Sequence, residues 1–226
     1  MSLINQIDLA TCLLLDKRVE YWDNLESSFK KVGIQLNGCL VGDGELFPKE
    51  EYFHIDTPSL PPQYLTTNHY PSWVNKPNAY NAFLSHRKMI ERAIIENRKN
   101  LLIVEDDVEI EGDFLEIIDK VSPFFEQNHW DMIQFGAYHH NNTEKITDNI
   151  LKTKASGGFH GVLLNNSLFR LLYSLLPCAP FDNLVEQHVQ PYYKCYAIYP
   201  SIITQRDGLF SHVEGTILNK PSRYHK

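Results

Sequence analysis

Residues 101–108 read Leu-Leu-Ile-Val-Glu-Asp-Asp-Val: four apolar residues run straight into three acidic ones. Alternate side chains of a strand point to opposite faces, so an unbroken apolar run suits a strand buried on both sides. Three adjacent carboxylates repel one another, and leaving them at the mouth of a sheet is costly unless a cation or water offsets the charge. Hard divalent ions take carboxylate oxygens together with substrate phosphates. On an extended segment the first and third side chains point the same way, so Glu105 and Asp107 could serve one ligand while Asp106 faces elsewhere. The bland alternative is a solvated acidic turn that caps the next helix.

The flanking sequence builds an α/β domain around this strand. Leu-Ala-Thr-Cys-Leu-Leu-Leu at 9–15 is a second apolar run. Tyr21, Leu25, Phe29 and Val32 then recur three or four apart, which predicts a helix over 17–32, and Gly33 stops it. A strand over 34–41 completes a βαβ opening. Residues 45–77 carry six prolines (Pro48, Pro58, Pro61, Pro62, Pro71, Pro77) and read as a long loop. The clearest helix covers 78–98, with Ala79, Ala82, Phe83, His86, Ile90, Ala93 and Ile94 on one face and Asn78 as its cap. Further helices are expected over 113–125, 167–176 and 180–189, and a strand over 131–135. A polar loop is expected over 137–149. Residues 150–155 and 159–164 read as a strand pair around Gly157-Gly158, and 195–199 and 202–205 are strand-like. Alternating strands and helices predict an α/β fold with a mostly parallel central sheet flanked by helices. Ligands in such folds sit beyond the carboxyl ends of the strands, where the acidic triplet lies.

The chain has 226 residues, within the range of one domain of up to roughly 250. We read 1–226 as a single domain, with 210–226 as a C-terminal tail. A formal charge of −7 and the lack of a basic stripe argue against nucleic acid as a partner. Cys12, Cys39, Cys178 and Cys195 are scattered, without a CxxC pair, and suggest reduced thiols. No apolar stretch reaches the ~20 residues of a transmembrane segment, and no leader pattern opens the chain. A cytoplasmic protein is expected, with peripheral docking at a membrane left open. His139-His140 and Glu186-x-His188 lack a completing set of zinc ligands. Asn141-Asn142-Thr143 and Asn165-Asn166-Ser167 match glycosylation sequons only formally.

The stretch 101–108, with Ser85-His86 on the preceding helix, resembles glycosyltransferase family 25. Leu15-Asp16-Lys17-Arg18, the 130–136 stretch Trp-Asp-Met-Ile-Gln-Phe-Gly, the 158–164 stretch Gly-Phe-His-Gly-Val-Leu-Leu, and 205–213 with Ser211-His212 are similar to further motifs of that family, in the same order. The chain departs from the pattern at Leu14, Tyr21, Asn81, Ala82 and His212. The resemblance implies a GT-A-type, Rossmann-like fold, a nucleotide-sugar donor and a glycan or glycoconjugate acceptor. It implies Mn²⁺ or Mg²⁺ as cofactor, bound by Asp107, with Glu105 and Asp106 on the ribose or in the metal shell. His212 is a candidate third metal ligand or an exposed histidine. Ser85 and His86 are donor-binding candidates, a role favoured for His86 over the plainer reading of a satisfied core histidine. Arg18 contacts the nucleotide or opens a helix at the surface. Asp182 and Glu186, one turn apart, are the candidate general bases; Asp182 also suits an N-cap.

The expected reaction is inverting transfer of a hexose, galactose being favoured, from a UDP-sugar. A nucleotidyltransferase that makes the nucleotide sugar would carry a glycine-rich phosphate loop after its first strand, and residues 15–20 contain no glycine. A non-catalytic glycan-binding relative is the remaining alternative.

Overall fold

The computed structural model describes residues 2–41, 77–139, 143–177, 179–208, 210–211 and 216–217. The proline-rich stretch, the His139-His140 pair and its following sequon in part, His212 and most of the tail lie outside the described residues or side chains.

Among the described residues the core is an eight-stranded sheet. Its strands are β1 (Leu9–Leu15), β2 (Asn37–Val41), β3 (Asn100–Glu105), β5 (Met132–Gln134), β7 (Thr143–Thr147), β8 (Ile150–Thr153), β10 (Gly161–Asn165) and β11 (Cys195–Ile198), in the spatial order β2-β1-β3-β10-β5-β11-β8-β7. β1 runs parallel to β2 and β3, and β5 parallel to β11. Only β10 and β8 are reversed, each antiparallel to both neighbours. The result is a mixed α/β fold with a large, mostly parallel sheet flanked by helices.

The apolar runs divide by alternation. Leu9, Leu13, Leu101 and Ile103 enter one core, and Ala10, Cys12, Leu14, Leu102 and Val104 enter the other. Side chains of α2 (Pro77–Ile95), α4 (Asn166–Ser174) and α5 (Phe181–His188) fill the first core. Those of α1 (Trp22–Lys31) and α3 (Phe114–Gln127) fill the second. Each fully buried Leu, Ile or Val contributes about 1.5–3 kcal/mol, so residues 101–104 anchor β3 strongly enough to carry the charged turn behind it.

The N-terminal end of the sheet is tied by two carboxylates. Asp8 accepts from the backbone N–H of Lys99 at 3.1 Å and of Asn100 at 2.9 Å. Asp131 is buried and accepts from Ser167 Oγ at 2.6 Å, Lys194 N–H at 2.9 Å and His129 Nε2 at 3.2 Å.

Several expectations need correction. Residues 16–21 form a 3-10 helix before α1 begins at Trp22. Gly33 does end α1, at φ 83°. Asn78 falls inside the first turn of α2 and not before it. The supposed loop at 137–149 contains β7 and also β6 (Tyr138–His139), which pairs antiparallel with β9 (Ser156–Gly157). β8 and β10 share the sheet but do not pair, because β5 and β11 lie between them; the exposed pattern of β7 hid the partner that β8 takes instead. The segment Ile203–Gln205 leaves the main sheet as β12 and forms an antiparallel ribbon with β4 (Val108–Ile110). Asp182 is not the N-cap of α5: Pro180 holds that place, and Asp182 lies in the first turn.

Candidate active site

β3 ends at Glu105, and the chain turns at Asp106 and Asp107 before β4. The two-residue turn separates the three carboxylates. Asp106 is directed toward β1, where Oδ2 accepts the Leu15 N–H at 2.9 Å and Oδ1 accepts Arg18 Nη1 at 2.5 Å. Both partners of this ion pair are buried. Breaking such a pair from one side would strand a charge, so Arg18 and Asp106 hold each other and close the β1–β3 junction.

Asp107 is buried at 7% exposure and far less satisfied. Its Oδ2 lies 3.9 Å from Arg18 Nη1 and 3.5 Å from Gln205 Nε2. Its Oδ1 has no hydrogen-bond partner among the described residues. Burial, with the Asp106 charge adding, pushes the Asp107 carboxyl up to about 6 against the pull of Arg18. Glu105 is affected in the same direction. Burial, then the charges of Asp107, Asp182 and Asp106, push it well above the usual carboxylate range. The Asp182 contribution matters geometrically, since it brings the start of α5 within electrostatic reach of the triplet. Asp182 Oδ1 accepts the Asn183 N–H at 2.9 Å. Glu186, half-buried one turn further along α5, does not figure among the charges acting on Glu105.

Ser85 and His86 are buried on α2, and neither opens onto solvent. The His86 ring stacks on Phe181 at 5.0 Å and meets the edge of Phe159 at 5.1 Å. Its Nδ1 is 2.7 Å from the Ala82 carbonyl oxygen, which makes Nδ1–H the donor, and its Nε2 has no hydrogen-bond partner among the described residues. Burial holds this imidazole neutral, lowering it to about 4. His86 therefore packs two segments that lead into the site: Phe181 precedes Asp182, and Phe159 precedes His160, whose carbonyl accepts the Glu105 N–H at 3.1 Å.

The structure thus gathers Arg18, Glu105, Asp106, Asp107 and Asp182 at the carboxyl end of β3, with His86 behind them. Among the described residues, no group of three or more His, Cys, Asp or Glu side chains is arranged to hold a metal ion on its own. Three residues at the site were not singled out from sequence. His160 is buried, lowered to about 4 by burial, and its ring bonds the Ile203 backbone. Gln205 and Arg206 reach the turn through the β4–β12 ribbon, which joins segments 98 residues apart. No local pattern announces such a pairing; a basic residue directly after a short strand was the available signal.

Among the described residues no helix is long and apolar enough to cross a membrane. No protein-family model matches the chain, so the resemblance to family 25 gains no support there, and no curated protein matches it. Two solved structures are similar over most of its length. One is the A197 protein from STIV, at 12% identity and TM-score 0.44, covering 94% of this chain and 95% of that one. The other is a glycosyltransferase involved in the glycosylation of the major capsid of PBCV-1, at 11% identity and TM-score 0.43, covering 91% of this chain and 96% of that one. Activity does not pass from chain to chain on likeness of this degree, because function resides in the site.

Proposed function

We propose that the chain is a metal-dependent, inverting glycosyltransferase that moves a hexose, galactose being favoured, from a UDP-sugar to a glycan acceptor. One observation carries this reading: Asp107 Oδ1 is buried without a partner at the mouth of the sheet, among carboxylates whose proton affinity is raised. An uncompensated buried carboxylate favours a cation, and oxygen ligands suit Mn²⁺ or Mg²⁺. Asp107 would hold the ion, with Glu105 beside it, and donor phosphates would complete the shell; His212 lies outside the described residues. When bound, the cation offsets the charge that develops on the departing diphosphate.

The protein's own groups have separable tasks. Arg18 fixes Asp106 and so leaves Asp107 to the ligand. His86 would offer its buried Nε2 as an acceptor to the donor, and its ring stacks on Phe181. Asp182 takes the proton from the acceptor hydroxyl as that oxygen attacks the anomeric carbon, and Glu186 is the alternative base. The arginine of the β1 junction is engaged with Asp106, and that junction has no glycine, which favours glycosyl transfer over nucleotidyl transfer. A reducing cytoplasmic setting fits the buried thiols of Cys12 and Cys195, which form no disulfide among the described residues.

The test is calorimetric titration of the full chain with nucleoside diphosphates in Mn²⁺ and in EDTA. Much tighter binding with Mn²⁺ is expected, and a matching rise in Tm. Equal affinity in both buffers would remove the metal, and absence of binding to every nucleotide would remove the transferase.

A further inference from the structure

The geometry points to Arg206 as the residue that grips the donor diphosphate and stabilises it as the leaving group. This rests on the transferase reading above and adds to it a residue that neither the triplet nor the family resemblance singles out.

Three observations converge. First, Arg206 is locked in place beside the triplet. In the β4–β12 ribbon Gln205 pairs with Val108, and the Arg206 N–H donates to the Asp107 carbonyl at 2.7 Å, which carries the ladder one step further. Arg206 therefore stands opposite Asp107. Residues directly opposite in an antiparallel pair project to the same face, with Cβ atoms about 4.5–5.5 Å apart.

Second, the guanidinium is aimed but not used up. Nε donates to the Val108 carbonyl at 2.9 Å, which fixes the plane of the group. Its two Nη atoms have no ion-pair or hydrogen-bond partner among the described residues, and the residue is only half-buried. Arg18, the other arginine here, is buried and engaged with Asp106. Arg206 is thus the arginine with donors to spare.

Third, the charges demand it. Glu105, Asp106 and Asp107 are three successive carboxylates at this mouth, and Arg18 is engaged with Asp106. A doubly charged diphosphate would be repelled from this mouth unless cationic groups meet it. Asp107 would hold one divalent ion, and the Arg206 guanidinium, a planar fork held across the ribbon, suits a pair of phosphate oxygens. In the reaction the acceptor oxygen bonds to the anomeric carbon and its proton passes to Asp182. The bond from that carbon to the β-phosphate oxygen breaks, and the electron pair leaves with the diphosphate. Arg206 N–H groups meet that added charge.

The experiment compares UDP and UMP binding in Mn²⁺ by calorimetry, using the full-length wild type, Arg206→Gln and Arg206→Lys. Arg206→Gln should weaken UDP by about tenfold or more and UMP by less than about twofold, since UMP lacks the β-phosphate. Turnover should fall more than donor affinity, because the charge grows as the bond breaks. Arg206→Lys should lie between, keeping the charge and losing the fork. If Arg206→Gln fails to fold, the Lys variant decides: UDP affinity and turnover equal to wild type would overturn the proposal. So would wild-type UDP affinity in a folded Gln variant, and in either case the transferase reading would stand. If the wild type binds neither UDP nor any other nucleoside diphosphate, the transferase reading fails and this one with it.

Discussion

The two ends of the sheet use the same residue type for opposite purposes. At the N-terminal end, Asp8 and Asp131 accept two and three hydrogen bonds and staple neighbouring strands. At the C-terminal end, Asp107 keeps one oxygen without a partner among the described residues, and Glu105 is pushed toward the protonated form by burial first and then by its acidic neighbours. Asp106 is the instructive intermediate. It sits at the functional end but is saturated by Arg18 and Leu15, and so behaves like the staples. Position in the sheet alone does not separate structural from functional carboxylates; the state of their lone pairs does.

That contrast can be broken most sharply at Asp107. Asp107→Asn should lower turnover by about 100- to 1,000-fold, the scale of losing a preorganised charge-stabilising group. Its Tm should hold or rise, because a repelled carboxylate is removed. A large loss of Tm would mean that Asp107 is a staple after all. Asp182→Asn comes next, with about a 100-fold fall in turnover at nearly unchanged donor affinity. If Asp182 only favours the start of α5, the substitution will cost about 0.3–1 kcal/mol of stability and little turnover, and Glu186 becomes the base to test.

The staples should fail the other way. Asp131→Ala removes an acceptor for three donors and should cost about 2–3 kcal/mol in urea denaturation, with activity per folded molecule unchanged. Loss of turnover without loss of stability would erase the distinction between the two ends.

The smallest effect concerns His86 and pH. Its folded value is lowered to about 4, below the ordinary 6.5, so the unfolded chain binds the proton first. Stability contributed by the neutral ring is present above about pH 6.5 and is lost as pH falls toward 4. His86→Phe keeps an aromatic ring against Phe181 and should gain on wild type in acid. The Tm difference between the two should shift by about 2–4 °C in favour of the variant from pH 7.5 to 5.5. A constant difference would mean that His86 is not held neutral. His160, lowered in the same way, supplies a similar slope that remains in the variant.

Most of the sheet and the triplet were legible in the sequence because both are local signals. The runs at 9–15 and 101–104 are long enough to be read as strands, and a polar break marks where each emerges. The helix faces were legible from 3.6-residue spacing, which placed Phe83, His86, Ile90 and Ala93 together and inward. What stayed hidden was pairing between remote segments. Nothing in residues 150–164 says that β5 and β11 come between β8 and β10, and nothing near Asp107 announces Arg206. His86 was legible as an inward residue, but its stacking on Phe181 depends on the approach of α5. The N-cap assignment of Asp182 failed because Pro180, which fixes its own φ, let α5 begin two residues earlier.

The tight crossing of the ribbon over the sheet has a consequence for sequence drift. A Cβ on Gly136 would overlap the Ile203 carbonyl oxygen and the His160 ring, whereas one on Gly112 would meet nothing within 4 Å. A saturation library should therefore accept alanine and larger residues at 112 while returning glycine alone at 136. A single hydrogen atom in place of a methyl group at 136 lets the chain bring residues 203–206 down beside Asp107. Substitution at that distant, uncharged position would disarm the site as surely as removing one of its carboxylates.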